Sequence, residues 1–134
     1  MVFKYLNTIL YDNENDNSLI TFMSIYSTSI LSLGDASSKV EDELLNNYNL
    51  NNIDIFKLSH HGSKTSSSKF FIESINPKYA VISVGENNRY GHPSDSVLDN
   101  LMRSKIYRTD KDGSVIFKIK SNKLIIETCH HREE

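Results

Sequence analysis

The stretch 78–85, "KYAVISVG", is β-branched and apolar without alternation. That is the pattern of a strand covered on both faces rather than one lying at a solvent boundary. A chain with such a strand has to build layers on either side of it. Two earlier apolar runs, at 29–33 ("SILSL") and 53–59 ("IDIFKLS", with Ile53, Ile55, Phe56 and Leu58), also read as strands, and each of the three leads into a polar loop and then a helix-like segment. The first helix is expected from Ala36 to about Tyr48, with Ser37 or Ser38 as cap. Glu41 to Glu43 complement its N-terminus, and Val40, Leu44 and Leu45 form its apolar face. "SSKFFIESI" at 67–75 predicts a short helix ended by Asn76-Pro77. "SDSVLDNLMRS" at 94–104 predicts one capped by Ser94, with Val97, Leu98 and Leu101 on one side. Strands alternating with helices in this way give an α/β layered fold.

The flanks read differently. Val2 to Leu10 is an expected strand, "DNENDNS" at 12–18 has turn chemistry, and Leu19–Tyr26 with Ser29–Leu33 forms a hairpin turning near Ser27-Thr28. "KIYRTD", "GSVIFKIK" and "KLIIETC" close the chain as strands around "DKDG" and "SN" turns. At 134 residues, 38% of them hydrophobic, one domain with a real core is expected over 1–134. Cys129 is the sole cysteine, which excludes a disulfide framework and a cysteine-rich zinc site. There is no apolar run of about 18 residues and no signal-peptide layout at the start. Membrane contact from this segment is therefore not expected. A net charge of −2 supplies no strong field to recruit nucleic acid. A local patch from Lys57, Lys64, Lys69, Arg89 and Arg108 is conceivable, although scattered solvated charges are the commoner arrangement.

In an α/β sheet, functional groups collect in the loops after the strands. Here those loops are "GDAS" with Asp35, "SHHGSKTSS" with His60 and His61, and "GENNRYGHPS" with His92. Singly, each has an ordinary explanation: an Asp after Gly caps helices, and His in Gly- or Pro-bearing turns is often structural. His130 and His131, in a charged tail, are expected to be a solvated end without a role. Taken together, a carboxylate and imidazoles from successive strand ends suit borderline cations such as zinc, manganese or iron.

"NDNSLITFMSIYSTSILSLGDAS", "IDIFKLSHHGSKTSSSKFFIESINPKYAVISVGENNRYGHPSDSVLDNL" and "YRTDKDGSVIFKI" resemble, in order and over nearly the whole chain, the C-terminal half of a metallo-β-lactamase-fold domain. The variety is that of ComEC, the competence DNA-uptake channel, and its stand-alone relatives. The resemblance implies half of a four-layer αββα sandwich, a mixed sheet with covering helices. It makes Asp35 the carboxylate bridging two metal ions, zinc or manganese. His60, or alternatively His61, becomes a terminal ligand of the second metal. The other histidine, Ser63 and His92 then line the substrate side as catalytic residues.

The family's H-x-H-x-D-H motif and a further histidine ligand have no counterpart in this sequence. Catalytic zinc sites use about three protein ligands and structural ones four. The expectation is therefore a metal-dependent phosphodiesterase acting on DNA or another phosphodiester, inactive until a missing N-terminal half completes it. The alternative is a degenerate, non-catalytic half-domain serving as a dimeric binding or scaffold module. Standing alone, the chain is expected in the cytoplasm; otherwise it is the soluble domain of a membrane protein.

Overall fold

A computed structural model describes residues 1–130 of the chain. Its centre is a six-stranded sheet of β1 (Val2–Tyr5), β2 (Thr21–Ile25), β3 (Thr28–Ser32), β4 (Ile55–Lys57), β5 (Tyr79–Ile82) and β6 (Lys105–Arg108). The strands lie side by side in chain order. β1, β2 and β3 pair antiparallel, whereas β3 to β6 pair parallel. Antiparallel neighbours need only a turn, but parallel ones need a crossover. The crossovers are α1 (Ser38–Asn47), α2 (Lys69–Ile75) and α3 (Asp95–Asn100). Because the strands add in one direction and such crossovers are right-handed, all three helices cover the same face. A single turn, α4 (Thr109–Asp112), follows β6, and β7 (Val115–Lys120) and β8 (Lys123–Thr128) form a separate antiparallel hairpin. The mixed α/β architecture expected from the alternation is present.

The face under the helices is closed. Leu31, Phe56, Ala80 and Ile82 on the strands, with Leu33 and Leu58 just beyond them, meet Val40, Leu44, Phe71, Ile75, Val97 and Leu101, and all are buried. The registers Leu31↔Phe56 and Phe56↔Ala80 put these strand residues on one side of the sheet. On the opposite side, Tyr79, Tyr107 and Phe117 form an aromatic triad with ring centroids 6.1 to 6.3 Å apart. The β7–β8 hairpin thus covers that face over β5 and β6. Its cover thins toward β1, where Phe3 and Tyr5 are 47% and 62% exposed and meet edge-on with ring centroids 5.2 Å apart.

Several local readings shift. β1 ends at Tyr5 and the hairpin turns at Tyr26-Ser27, with Tyr26 in the left-handed region. α3 ends at Asn100, and the "DKDG" turn becomes α4. "DNENDNS" contains a 3-10 turn, Glu14–Asn17, capped by the Asn13 side chain, which accepts from Asn15 N–H. Glu41 is not a solvated complement to the helix N-terminus. It is fully buried, and its carboxylate accepts from the backbone N–H of Ser67 and of Ser68 (3.0 Å). His130 is anchored by its N–H to the Asp112 carbonyl (3.0 Å) rather than frayed, while His131 lies outside the described residues. Among the described residues, no helix is long and apolar enough to cross a membrane.

Candidate functional site

Asp35, His60, His61, Tyr90 and His92 line one open pocket of about 300 Å³ at the ends of the parallel strands. Three loops build it, and each is fixed by bonds that do not use the pocket side chains. The loop after β3 turns at Gly34 (φ +61), where a side chain would collide with Ser18. Ser18 Oγ accepts from Asp35 N–H (3.0 Å), and the buried Asp16 carboxylate accepts from Ser37 N–H (2.8 Å). The Asn/Asp-rich segment is thus the support of the Asp35 turn. Its composition announced a turn but not this distant partner.

The histidine loop leaves β4 through Leu58 and places both His60 (φ +46) and His61 (φ +55) in the left-handed region. Such strain in non-glycine residues persists only where the surroundings enforce it. Here His60 N–H donates to the Gly34 carbonyl (3.0 Å), tying this loop to the Asp35 turn. The hydroxyl string behind it is internal scaffolding. Ser66 Oγ donates to the carbonyls of Ser59 (3.1 Å) and Ser63 (3.2 Å), and Ser63 Oγ pairs with Thr65 Oγ1 (3.0 Å). Ser63 is buried and is not among the pocket-lining residues. Further along, Ser67 is held from two helices, by Glu41 of α1 and by Asn100 of α3, whose Nδ2 donates to its carbonyl (3.0 Å).

The rings are close but not fused into one cluster. His60 lies 6.0 Å from His92 and 6.4 Å from His61, centroid to centroid. His61 Nδ1 sits 2.6 Å from the Ser83 carbonyl. A carbonyl only accepts, so Nδ1 carries the proton, leaving Nε2 of the neutral ring as the acceptor. Burial first, and then the neighbouring His60 and His61, hold His92 below the ordinary imidazole value. These surroundings favour the neutral imidazole of His92 over the imidazolium.

His92 belongs to the third loop, which Asn88 closes on itself. The Asn88 side chain accepts from His92 N–H (2.9 Å) and donates to the His92 carbonyl (2.7 Å). Reading the sequence for ligands missed Asn88. The only hint was an amide four residues before the histidine, which is turn chemistry anywhere. Tyr90, also missed, stacks on His92 at 5.9 Å with 19° between the ring planes. The third loop is joined to the second where Ser94 N–H donates to the Gly62 carbonyl (2.9 Å).

Asp35 and the histidines have the donor chemistry of a borderline-metal site. Among the described residues, however, no three His, Cys, Asp or Glu side chains are grouped to hold one ion. As described, these residues do not amount to a complete site. Two of the five cations considered for a basic patch are matched locally. Arg108 forks onto Asp110 (3.0 and 2.6 Å), lowering the Asp110 pKa chiefly through that hydrogen bond, and Lys69 faces Glu73 at 3.9 Å.

Comparison with known proteins adds a relationship. No protein-family model matches the chain. It is 37% identical over 111 residues to ComE operon protein 3 of Bacillus subtilis, covering 81% of this chain and 14% of that protein. It is 35% identical over 120 residues to Competence protein ComA of Neisseria gonorrhoeae, covering 86% and 17%. Recombination protein 2 of Haemophilus influenzae is 32% identical over 116 residues, covering 85% and 14%. These similarities support a competence-related origin. The chain spans only about a seventh of the length of these relatives.

Proposed function

We propose that the chain is the C-terminal half of a metallo-β-lactamase-type phosphodiesterase domain of the ComEC kind, acting on DNA during uptake. The observation that carries this reading is the pocket itself. Asp35, His60, His61 and His92 come from three separate strand ends and line one opening, and the similarity to competence proteins extends across all three loops. In this reading Asp35 and one of His60 and His61 contribute metal ligands, zinc or manganese being the expected ions, and the remaining ligands come from beyond these residues. His61 already has one trait of ligating histidines, the second ring nitrogen tied to a backbone carbonyl. In this reading His92 and the other histidine exchange protons with a phosphodiester oxygen, and Ser63 supports the loop beneath them. The half-covered second face of the sheet, ending at Phe3 and Tyr5, is where the other half of a four-layer sandwich would dock.

The test is manganese- or zinc-dependent cleavage of a labelled oligonucleotide. It compares the chain alone with the chain fused behind the segment that precedes the matched stretch in the Neisseria gonorrhoeae relative. The fusion is expected to cleave, and Asp35→Asn to lower its rate about 100-fold or more. A folded fusion without metal-dependent cleavage overturns the reading. The same exposed Phe3 and Tyr5 support a second one, a non-catalytic dimeric scaffold joined through β1. Light scattering showing a monomer at high concentration would remove it.

A further inference from the structure

We infer that Tyr90 and Arg89 form a nucleobase shelf at the mouth of the histidine pocket, so that the site takes single-stranded nucleic acid rather than a small phosphoester. This rests on the phosphodiesterase reading above and names its substrate class. Tyr90 lines the pocket yet is 69% exposed. A ring in that position contributes little to folding, and its remaining surface is open to a ligand. It is nonetheless not free to wander. Asn88 grips both the N–H and the carbonyl of His92, which leaves Arg89, Tyr90 and Gly91 as the tip of a closed loop. His92 underlies the Tyr90 ring at 5.9 Å, nearly parallel to it. The frame is fixed and what it displays is a largely exposed aromatic ring.

Arg89 supplies the second half of the match. Its guanidinium carbon lies 5.3 Å from the Tyr90 ring centroid, and its Nη2 is 3.3 Å from the Tyr90 hydroxyl. A cation held over an exposed aromatic ring, and free to turn toward a phosphate, fits the repeat of a nucleic-acid strand, in which each base is followed by a phosphate. A duplex offers only base edges in its grooves, because its base faces are already stacked. A ring shelf therefore selects unpaired bases. A phosphate seated among His60, His61 and His92 leaves a neighbouring base within reach of a ring that itself touches His92. A small phosphomonoester has nothing to place there.

Fluorescence anisotropy with the full chain tests this, using a thymidylate dodecamer, an abasic strand of equal length and a duplex. Tyr90→Ala is expected to weaken thymidylate binding at least about fivefold and to leave abasic binding unchanged, while Tyr90→Phe behaves as wild type. The protein contains no tryptophan, so Tyr90→Trp introduces the sole indole. Its emission is expected to be quenched by the thymidylate strand and not by the abasic one. Equal thymidylate affinity in wild type and Tyr90→Ala, with His61→Ala weakening both strands, overturns the shelf and leaves the phosphodiester reading standing. Wild type that binds neither strand overturns the shelf, and cleavage by the fusion then decides the phosphodiester reading separately.

Discussion

The two faces of the central sheet are built from similar residues and end in different states. Under the helices, Phe56, Leu31 and Ile82 are completely buried and meet side chains from α1, α2 and α3. On the other face, Phe117 closes over Tyr79 and Tyr107, but about half of Phe3 and more of Tyr5 remain exposed. The pocket loops spring from strands anchored on the closed face. The difference shows that the site's scaffold and the sheet's open flank are separable. The first depends on packing already present, and the second is available to a further layer.

The sharpest challenge to that contrast is Phe56→Ala, expected to cost about 4 kcal/mol in urea unfolding because its cavity lies amid close-packed neighbours. Glu41→Ala should follow at about 3 kcal/mol, since it leaves the Ser67 and Ser68 N–H groups without their buried acceptor. Glu41 also gives a pH test. Burial raises its pKa above the ordinary carboxylate value, more than the Ser68 and Ser67 hydrogen bonds lower it. The folded state therefore binds this proton more tightly than the unfolded state. Relative to Glu41→Gln, wild-type stability should improve as pH falls from the raised value into the usual carboxylate range, and be lost as pH rises back through it. A wild-type-minus-variant difference that is flat with pH contradicts the buried carboxylate. On the other face Phe117→Ala should cost about 1.5 kcal/mol, from one partly covered aromatic cluster. Tyr5→Ala should change stability by less than about 0.5 kcal/mol. A Tyr5→Ala penalty approaching that of Phe56→Ala would show that the two faces are equally closed.

Much of this was legible in the residues. The apolar run before Gly85 and its two counterparts announced parallel strands, although β5 buries only Ala80 and Ile82 where cover on both faces was expected; the loops after them hold Asp35, His60, His61 and His92, which line one pocket. What escaped were partners distant in sequence. Glu41 sits in the first turn of a helix, where an acidic residue ordinarily complements the dipole. Only the tertiary fold brings Ser67 and Ser68 over it. Asp16 and Ser18 read as turn residues because their bonds to Ser37 and Asp35 cross a whole hairpin. Asn88 and Tyr90 carry no periodic or ligand signature, and their roles depend on how one loop closes. Ser63, expected on the substrate side, pairs with Thr65 Oγ1 and accepts from Thr65 N–H within its own loop.

Gly62 carries a consequence for the pocket's dimensions. Its φ is +82, and a Cβ placed there would lie 2.5 Å from Pro93 Cβ and 3.0 Å from Pro93 Cα. The histidine loop and the His92-Pro93 loop therefore meet with not even one carbon's thickness between them. His60 and His92, 6.0 Å apart, are carried by the two loops that meet at this contact. Any side chain at position 62 would strain the backbone and force the two loops to shift against each other. Retuning the site for a bulkier ligand begins at a residue that never touches it.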